Sequence, residues 1–434
     1  MQWAQHPLAQ LRHDPPLPDS RRLADPGVSH QTVTVDTQQD SGGQEDRRPL
    51  DGIRVVELTQ WIAGPSAAGL LADWGADVVK VEAPSGDPQR GFLAALGVAK
   101  KLPNPSFAQD NRGKRSVVLD LNTNEGLQTF DRLLTTADVF LTNWRPNALE
   151  RLRLDPASVR ERHASLVIAS QTGYGPVGPD RDTPGYDIGA FIARTGMART
   201  NRPEQDDPVN LKGGIGDHMT GITTCMAVLA ALMGRERTGE GQVVETSLFQ
   251  TGLYAVSVDL ATQMTFGRLA RMRPRTELST PLVNCYKTAD DKWFYLIGVE
   301  AARHLPGVGA AIGWPDITDD ERFSTAPNMM ENKVELIRLL DEAFATRDLA
   351  YWAQKFEEFD VWWAPCQTMA EVAQDPQALA LDSFIPVTDG DGDNLMTIAA
   401  PVIYNGSTLK PRRMVPALGE HTDEVLAELD HIAE

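Results

Sequence analysis

The sequence predicts an α/β protein, in which an open, doubly wound parallel sheet of the Rossmann-like type forms a large domain beside a smaller α+β domain. Two observations predict the large domain. Short β-branched runs alternate with helical segments as far as residue 170, and the first strand, helix and strand fit within residues 53–82. A third observation predicts the smaller domain, because the segments after residue 280 follow as a hairpin and then helices.

The first strand–helix–strand unit begins after Asp51-Gly52. Residues 53–58 form a β-branched run that predicts a buried strand, and residues 76–82 predict the next one. Between them, residues 66–74 are rich in small side chains, which let a helix approach a sheet closely, and Gly75 suits the end of that helix. A crossover of this kind joins parallel strands.

The remaining elements follow from the same periodicities. Residues 171–216 are rich in Gly and Pro, which predicts a long functional loop. The other predicted elements are strands at 116–120, 137–141, 166–170 and 242–247, helices at 123–135 and from Ala148, a long apolar helix after Asp217, a hairpin at 281–300, helical stretches near 330–358 and 368–381, and an amphipathic C-terminal helix.

We therefore expect four regions along the chain. The first is a disordered extension, because its residues are rich in Pro, Gln, Ser and Asp and show no period. The regions are the extension at 1–49, a large α/β domain at 50–250, irregular linkers (around 250–280) with the small α+β domain at 251–390, and a C-terminal segment at 391–434 that returns to the large domain.

Composition excludes several classes of function. The 434 residues carry 41 Lys and Arg against 60 Asp and Glu, a formal charge of −19, which disfavours nucleic acid and anionic membranes as partners. The three cysteines and eight histidines show none of the spacings of disulfide frameworks or zinc sites, so no metal is expected. The longest apolar run, residues 225–233, is far shorter than the ~20 residues that cross a bilayer. With no recognisable secretory signal, we expect a cytoplasmic protein.

The common phosphate and nucleophile motifs are absent from the sequence. The first turn after a strand, residues 60–65, lacks the glycines of a dinucleotide fingerprint, and neither a P-loop nor a G-x-S-x-G motif occurs. An NAD-linked oxidoreductase is therefore disfavoured.

Asp217 is the most informative polar residue. It follows three glycines (Gly213, Gly214 and Gly216) and opens the long apolar helix, where the helix N-terminus is expected to hold its carboxylate ionised. Two interpretations remain open at this point: a nucleophilic or proton-abstracting carboxylate, or a simple helix cap. The basic segment 111–115 is likewise either a phosphate site at the sheet edge or a solvated loop.

Nine segments, taken together and in this order, resemble the class III CoA-transferases, the family of formyl-CoA transferase, carnitine CoA-transferase and α-methylacyl-CoA racemase. They run from residue 50 almost to the end of the sequence. The segments are 50–58, 63–65, 71–82, 111–116, 143–146, 173–175, 184–187, 237–242 and 418–422.

The resemblance implies a function and a site. Asp217 would attack an acyl-CoA thioester, and CoA would pass to a free carboxylic acid through an aspartyl anhydride and an aspartyl-CoA thioester. It implies no tightly bound cofactor, because CoA itself is a substrate. It also implies an interlocked homodimer. The implied CoA contacts are Ile62, Ala63, Ala83, Leu119, Asn122, Asn143, Trp144, Arg145, Arg151, Tyr186 and Asp187.

Several positions depart from formyl-CoA transferase. Ile62 replaces a glutamine, Ala83 an arginine, and Asn122 and Pro184 two lysines, so we expect Arg151 and the basic segment 111–115 to compensate. The glycine-rich lid is also missing around 265–280, which argues against formyl-CoA and oxalate. The arginines found there instead, Arg271, Arg273 and Arg275, suggest an acidic acceptor.

Two alternatives remain. An acyl-CoA racemase of this family carries histidine where this chain has Tyr186, and a phenol, which ordinarily titrates near pH 10, is a poor general base at neutral pH. A non-catalytic acyl-CoA-binding protein would accommodate the replaced CoA contacts.

Overall fold

Six parallel strands form the main sheet of the protein, for which a computed structural model describes residues 47–92, 103–203, 206–209, 211–269 and 272–433. The spatial order is β3-β2-β1-β4-β5-β6. This is the order of the Rossmann type, which confirms the predicted fold class. The strands are β1 (Arg54–Leu58), β2 (Asp77–Glu82), β3 (Arg115–Val118), β4 (Val139–Thr142), β5 (Val167–Thr172) and β6 (Val243–Ser247).

Helices cover both faces of this sheet, and others belong to the C-terminal half of the chain. The α-helices in the described part of the chain are α1 (Ala63–Asp73), α2 (Pro105–Asn111), α3 (Asn124–Thr135), α4 (Pro146–Leu152), α5 (Pro156–Arg162), α6 (Met197–Thr200), α7 (Ile215–Thr238), α8 (Leu248–Ala255), α9 (Ser257–Phe266), α10 (Ala301–Ala311), α11 (Ala326–Glu331), α12 (Lys333–Phe344), α13 (Leu349–Glu358), α14 (Met369–Val372), α15 (Pro376–Ala380) and α16 (Thr422–Ala433).

Two apolar cores sandwich the main sheet. On one face α1 and α7 pack against β1, β4 and β5, and on the other face α3, α5 and α16 bury their apolar sides. By length and composition α7 is apolar enough to span a membrane, but 44% of its most apolar stretch is buried in the protein. The core helix of an α/β domain has this composition too, and α7 occupies that position.

The outer edge of β3 is covered by the segment that leads into α16. His421 donates its backbone N–H to the carbonyl oxygen of Ser116 (2.9 Å), and Val118 donates its backbone N–H to Oγ1 of Thr422 (3.1 Å). Val425 and Leu429 of α16 then join the core beneath β3. The C-terminal residues therefore complete the large sheet.

A third core lies in the C-terminal half. The strands β7 (Cys285–Lys287), β8 (Trp293–Leu296) and β9 (Trp363–Pro365) form an antiparallel sheet that packs on α10, α12 and α13 through aromatic side chains. The predicted hairpin is therefore present, whereas β9 went unpredicted. Two further hairpins follow: β10 (Phe384–Thr388) with β11 (Asn394–Ile398), and β12 (Ile403–Tyr404) with β13 (Ser407–Thr408).

The prediction of an irregular linker around 250–280 is wrong for its first half, which forms most of α8 and all of α9. None of the residues of α9 is buried in this chain. The predicted disordered extension and Arg271 fall outside the described residues, apart from positions 47–49 of the extension. The domain boundaries stay a prediction.

Candidate active site

A cavity of about 440 Å³ opens at the carboxyl ends of β1, β4 and β5, where the strand order reverses. Ligands of open α/β sheets bind at this topological switch point. The cavity is lined by Gln60, Trp61, Ala63, Asn143, Trp144, Arg145, Ala148, Gln171, Thr172, Gly173, Pro184, Gly185, Tyr186, Asp217 and Leu248.

Asp217 lies in the first turn of α7, with its side chain on the cavity wall. The helix is capped by Gly214, whose φ of 103° suits glycine, so Asp217 is not the helix cap. At Gly216 a Cβ atom would lie only 2.3 Å from Oδ1 of Asp187 and 2.3 Å from the ring of Phe191. The glycines therefore allow the turn to pack tightly behind Asp217.

Asp187 holds this turn in place. Its buried carboxylate accepts hydrogen bonds from the backbone N–H groups of Gly214 (2.6 Å) and Gly216 (3.2 Å). The N–H groups at the start of α7 thus face Asp187 instead of Asp217. The side chain of Asp187 faces the protein, while its neighbour Tyr186 lines the cavity.

The pKa of Asp217 is raised from 3.8 to about 7, mainly by burial and secondly by the nearby carboxylate of Asp187. Asp110 adds to the rise, and His218 opposes it. The expectation that the helix N-terminus holds Asp217 ionised is therefore wrong at this site, because burial and two neighbouring acids outweigh the helix dipole. At neutral pH both the ionised and the protonated form of the Asp217 side chain are therefore populated.

The loop after β1 is held by a buried network of charges. Trp61 has a left-handed backbone (φ 67°) and donates its N–H to Oδ1 of Asp87 (3.1 Å). Lys80 donates to the other oxygen of Asp87 (2.9 Å) and lies 3.3 Å from Glu57. Sequence reasoning missed these residues, although a charge within each apolar strand, Glu57 in β1 and Lys80 in β2, was a usable signal.

Two polar atoms of the cavity wall have no partner within the described part of the chain. They are Oε1 of Gln171 and Nε1 of Trp144. Buried polar atoms of this kind are rare in native proteins and mark places where a ligand or water completes the hydrogen bonding. Gln171 was not among the sequence-predicted site residues.

The structure brings together about half of the expected CoA contacts. Ala63, Asn143, Trp144, Arg145 and Tyr186 line the same cavity as Asp217.

The other expected contacts lie around this group. Ile62 precedes α1, and Ala83 borders a small adjoining cavity with Trp144. Leu119 and Asn122 follow β3, two strands away from β1, and Arg151 is exposed in the last turn of α4.

The basic segment 111–115 is neither a phosphate site nor a solvated loop, so both expectations are wrong. Arg112 pairs with Asp73 (2.7 Å), Lys114 with Glu57 (2.8 Å), and the nearly buried Arg115 with acids of β2 and α16. The buried acids Asp73 of α1 and Glu57 of β1 require these cations, which the sequence does not reveal because the partners lie far away along the chain.

The sequence also suggested that arginines before β7 bind an acidic acceptor, and that the protein holds no metal. Arg273 pairs with Glu277, and Arg275 with Asp341, in the segment that precedes β7. Neither lines the cavity. Among the residues that the structure describes, no group of three or more His, Cys, Asp or Glu side chains is arranged to hold a metal ion.

The fold and the site thus place a carboxylate at the switch point of an open α/β sheet, where sheets of this kind bind ligands. Residues 50–422 match the family described as CoA-transferase family III, and the chain belongs to this family. The resemblance that the sequence motifs suggested is thereby confirmed, and the protein is a CoA-transferase.

Individual relatives cover most of the chain. It is 31% identical over 390 residues to (R)-2-hydroxy-4-methylpentanoate CoA-transferase of Clostridioides difficile (88% of this chain, 96% of the relative). It is 34% identical over 400 residues to succinate–glutarate CoA-transferase of Agrobacterium fabrum (88% and 96%). A crystal structure of a CaiB/BaiF family protein from Brucella suis is 28% identical and superposes with a TM-score of 0.77 (88% of this chain, 100% of that one).

Proposed function

We propose that the protein moves CoA from an acyl-CoA thioester to a free carboxylic acid, with Asp217 as the nucleophile. The observation that supports this most directly is the position of Asp217 on the cavity wall, at the first turn of α7 and at the switch point of the sheet. A partly desolvated carboxylate with a pKa of about 7 is ionised in a large share of molecules at neutral pH and carries little hydration to hinder its attack.

The reaction proceeds in four displacements. Asp217 attacks the donor carbonyl carbon, the C–S bond breaks, and CoA leaves as a thiolate from a mixed anhydride. The thiolate attacks the aspartyl carbonyl and releases the donor carboxylate, which leaves an aspartyl-CoA thioester. The acceptor carboxylate attacks this thioester and expels the thiolate. Attack of the thiolate on the acceptor carbonyl then forms the new acyl-CoA and restores Asp217.

CoA would lie along the carboxyl ends of the strands, as a substrate and not as a resident cofactor. Ala63, Asn143, Trp144, Arg145 and Tyr186 line the cavity and form the core of the proposed CoA site. The exposed guanidinium of Arg145 suits a phosphate group. We extend the site to the remaining positions that family resemblance suggests: Ile62, Ala83, Leu119, Asn122, Arg151 and Asp187.

The acyl group would be apolar at its outer end. Trp61 makes edge-to-face contacts with Tyr186 and with Phe92, in both cases with ring centroids 5.9 Å apart. Tyr186 keeps 63% of its surface exposed, so the cluster offers an aromatic wall beside the cavity. A branched or aryl acyl chain would bury this surface, and a panel of acyl-CoA donors tests the preference.

Racemisation and simple binding are the competing functions. Racemisation needs a second proton carrier beside Asp217. The position that carries histidine in the racemase is Tyr186 here, which lines the same cavity as Asp217 but is a poor general base at neutral pH. Incorporation of solvent deuterium at the α-carbon of an acyl-CoA, with no acceptor acid present, would favour racemisation. Tight CoA binding without transfer to any acid of a broad panel would favour a binding protein.

The proposed nucleophile is tested by trapping. Wild-type enzyme is mixed with an acyl-CoA and hydroxylamine, and the modified peptide is mapped by mass spectrometry. We expect the label on Asp217 and a loss of transfer in Asp217→Ala. Glu125→Gln, which removes an acid from the first turn of α3 outside the cavity, is the control. Full activity of Asp217→Ala would refute the proposal.

A homodimer is the proposed assembly, and the cytoplasm the proposed compartment. Val258, Met264 and Phe266 of α9 are each more than 70% exposed, and Met226 and Met233 of α7 are more than 60% exposed. Exposed apolar helix residues of this kind are found at subunit contacts. Light scattering should give twice the chain mass, and Val258→Glu should shift the protein toward monomer.

A further inference from the structure

His218 follows Asp217 in the first turn of α7, and its side chain is bound to a buried acid. Its Nε2 atom is 3.0 Å from Oδ1 of Asp110, which lies in α2. The imidazole retains 46% of its exposed surface, whereas the side chain of Asp110 retains 3%. The pair therefore connects the start of α7 to α2, with the acid inside the protein and the imidazole at the surface.

Asp110 depends on His218 for its hydrogen bonding. Its second oxygen, Oδ2, is buried and has no hydrogen-bond partner within the described ranges. A buried carboxylate is costly unless a cation or several donors accompany it. The arrangement thus favours the protonated, positively charged form of the imidazole.

Other cations in this part of the protein form ion pairs with other acids or line the CoA cavity. Arg112 borders the same shallow cavity as His218 but pairs with Asp73, and Lys114 pairs with Glu57. Arg145 lies on the wall of the CoA cavity.

We infer that His218, held by Asp110, is a positioning residue that keeps a positive charge next to Asp217 and so maintains the nucleophile as a carboxylate. The inference rests on the proposed role of Asp217.

The charges around Asp217 explain why this cation matters. The charges of Asp187 and Asp110 raise the pKa of Asp217, and the charge of His218 lowers it. The hydrogen bond to Asp110 is the main cause that raises the pKa of His218, while burial opposes it. Without the imidazolium, Asp217 would keep the two acids that raise its pKa and lose the charge that lowers it.

The test is the pH dependence of kcat/KM for CoA transfer, measured from pH 5.5 to 9.5. His218→Gln retains a donor toward Asp110 but loses the charge. We expect its acid limb to move up by about one pH unit, with transfer reduced about eightfold at pH 6.5 and less than twofold at pH 9. His218→Arg, which retains the charge, should keep the acid limb of the wild type.

A second His–Asp pair provides a matched control. Nε2 of His163 lies 3.0 Å from Oδ1 of Asp131. Neither residue lines the cavity, so His163→Gln should leave the pH profile unchanged. An unshifted acid limb in His218→Gln, or a loss of activity that is equal at every pH, would overturn the inference. If His218→Gln does not fold, a shifted acid limb in His218→Arg overturns it instead.

The outcomes also separate this inference from the proposed function. If Asp217→Ala is inactive and His218→Gln keeps the wild-type profile, only the role of His218 fails. If Asp217→Ala remains active, the proposed nucleophile fails.

Discussion

Asp187 accepts a hydrogen bond from the backbone N–H of Gly214 at 2.6 Å, so the acid next to Tyr186 in the sequence fixes the turn that carries Asp217. The same carboxylate raises the pKa of Asp217 through its charge. One side chain thus does two things: it sets the geometry of the turn, and it makes the neighbouring carboxylate harder to ionise. The two effects can be separated by substitution.

Asp187→Asn should move the acid limb of kcat/KM to lower pH. The substitution removes a negative charge that raises the pKa of Asp217, so the nucleophile ionises more readily. It also weakens the bonds to Gly214 and Gly216, and we expect a loss of about 1–3 kcal/mol in the free energy of unfolding. A pH profile and a denaturant titration measure the two effects. An acid limb that moves upward would contradict the electrostatic assignment.

Asp217→Asn should be more stable than the wild type at pH 8. The folded-state pKa of Asp217, about 7, lies above its ordinary value of 3.8, so the folded protein binds the proton more tightly than the unfolded chain. Stability from this group therefore falls as the pH rises between these values, and the penalty is complete above pH 7. We expect a gain of about 1–3 kcal/mol at pH 8 and less than half of that at pH 5. Urea titrations at both pH values test this, and an equal gain at both would refute it.

Lys114→Met should destabilise the fold without weakening the binding of CoA. Lys114 and Glu57 are both fully buried, 2.8 Å apart, and burial lowers the pKa of Lys114 to about 8. Removing the cation leaves Glu57 with less compensation, at a cost of about 3–5 kcal/mol. Lys355→Met breaks an exposed Lys–Glu pair of 2.6 Å and should cost less than about 1 kcal/mol. A rise in KM for acyl-CoA in Lys114→Met, at unchanged stability, would restore the phosphate-binding interpretation.

Arg145→Ala should weaken the binding of acyl-CoA without destabilising the fold. Its guanidinium is exposed on the cavity wall, so its loss should leave the free energy of unfolding within about 0.5 kcal/mol of the wild type. A lost charged hydrogen bond to phosphate should raise KM for acyl-CoA by about tenfold or more. Initial rates with acyl-CoA varied at a fixed, saturating acid measure this effect. An unchanged KM would place the phosphates elsewhere.

The large sheet could be predicted because each strand carries its own signal. Runs such as Val55-Val56 and Val78-Val79 are continuous and β-branched, as strands buried on both faces require, and the glycine after α1 marks its end. Helix α9 was not predicted, and none of its residues is buried in this chain, with Val258, Met264 and Phe266 each more than 70% exposed.

The site was predictable in its position but not in its electrostatics. The glycines around Asp217 marked it as a residue in a tight turn before a helix. The direction of its pKa shift depends on Asp187 and Asp110, which lie 30 and 107 positions away along the chain and meet it only in the fold. The predictions for residues 111–115, a phosphate site or a solvated loop, were wrong for the same reason. The charges of this segment are balanced by acids that the local sequence does not contain.

The covering of β3 by residues 419–433 has a consequence for biosynthesis. While the ribosome is still making the second half of the chain, the backbone groups of Ser116 and Val118 that bind His421 and Thr422 have no partner from that segment. A nascent chain in this state presents an open strand edge. Such an edge can pair with other chains, and chaperones prevent this association. Shortening the gene by its last helix should therefore lower the yield of soluble protein well before it affects any step of transfer.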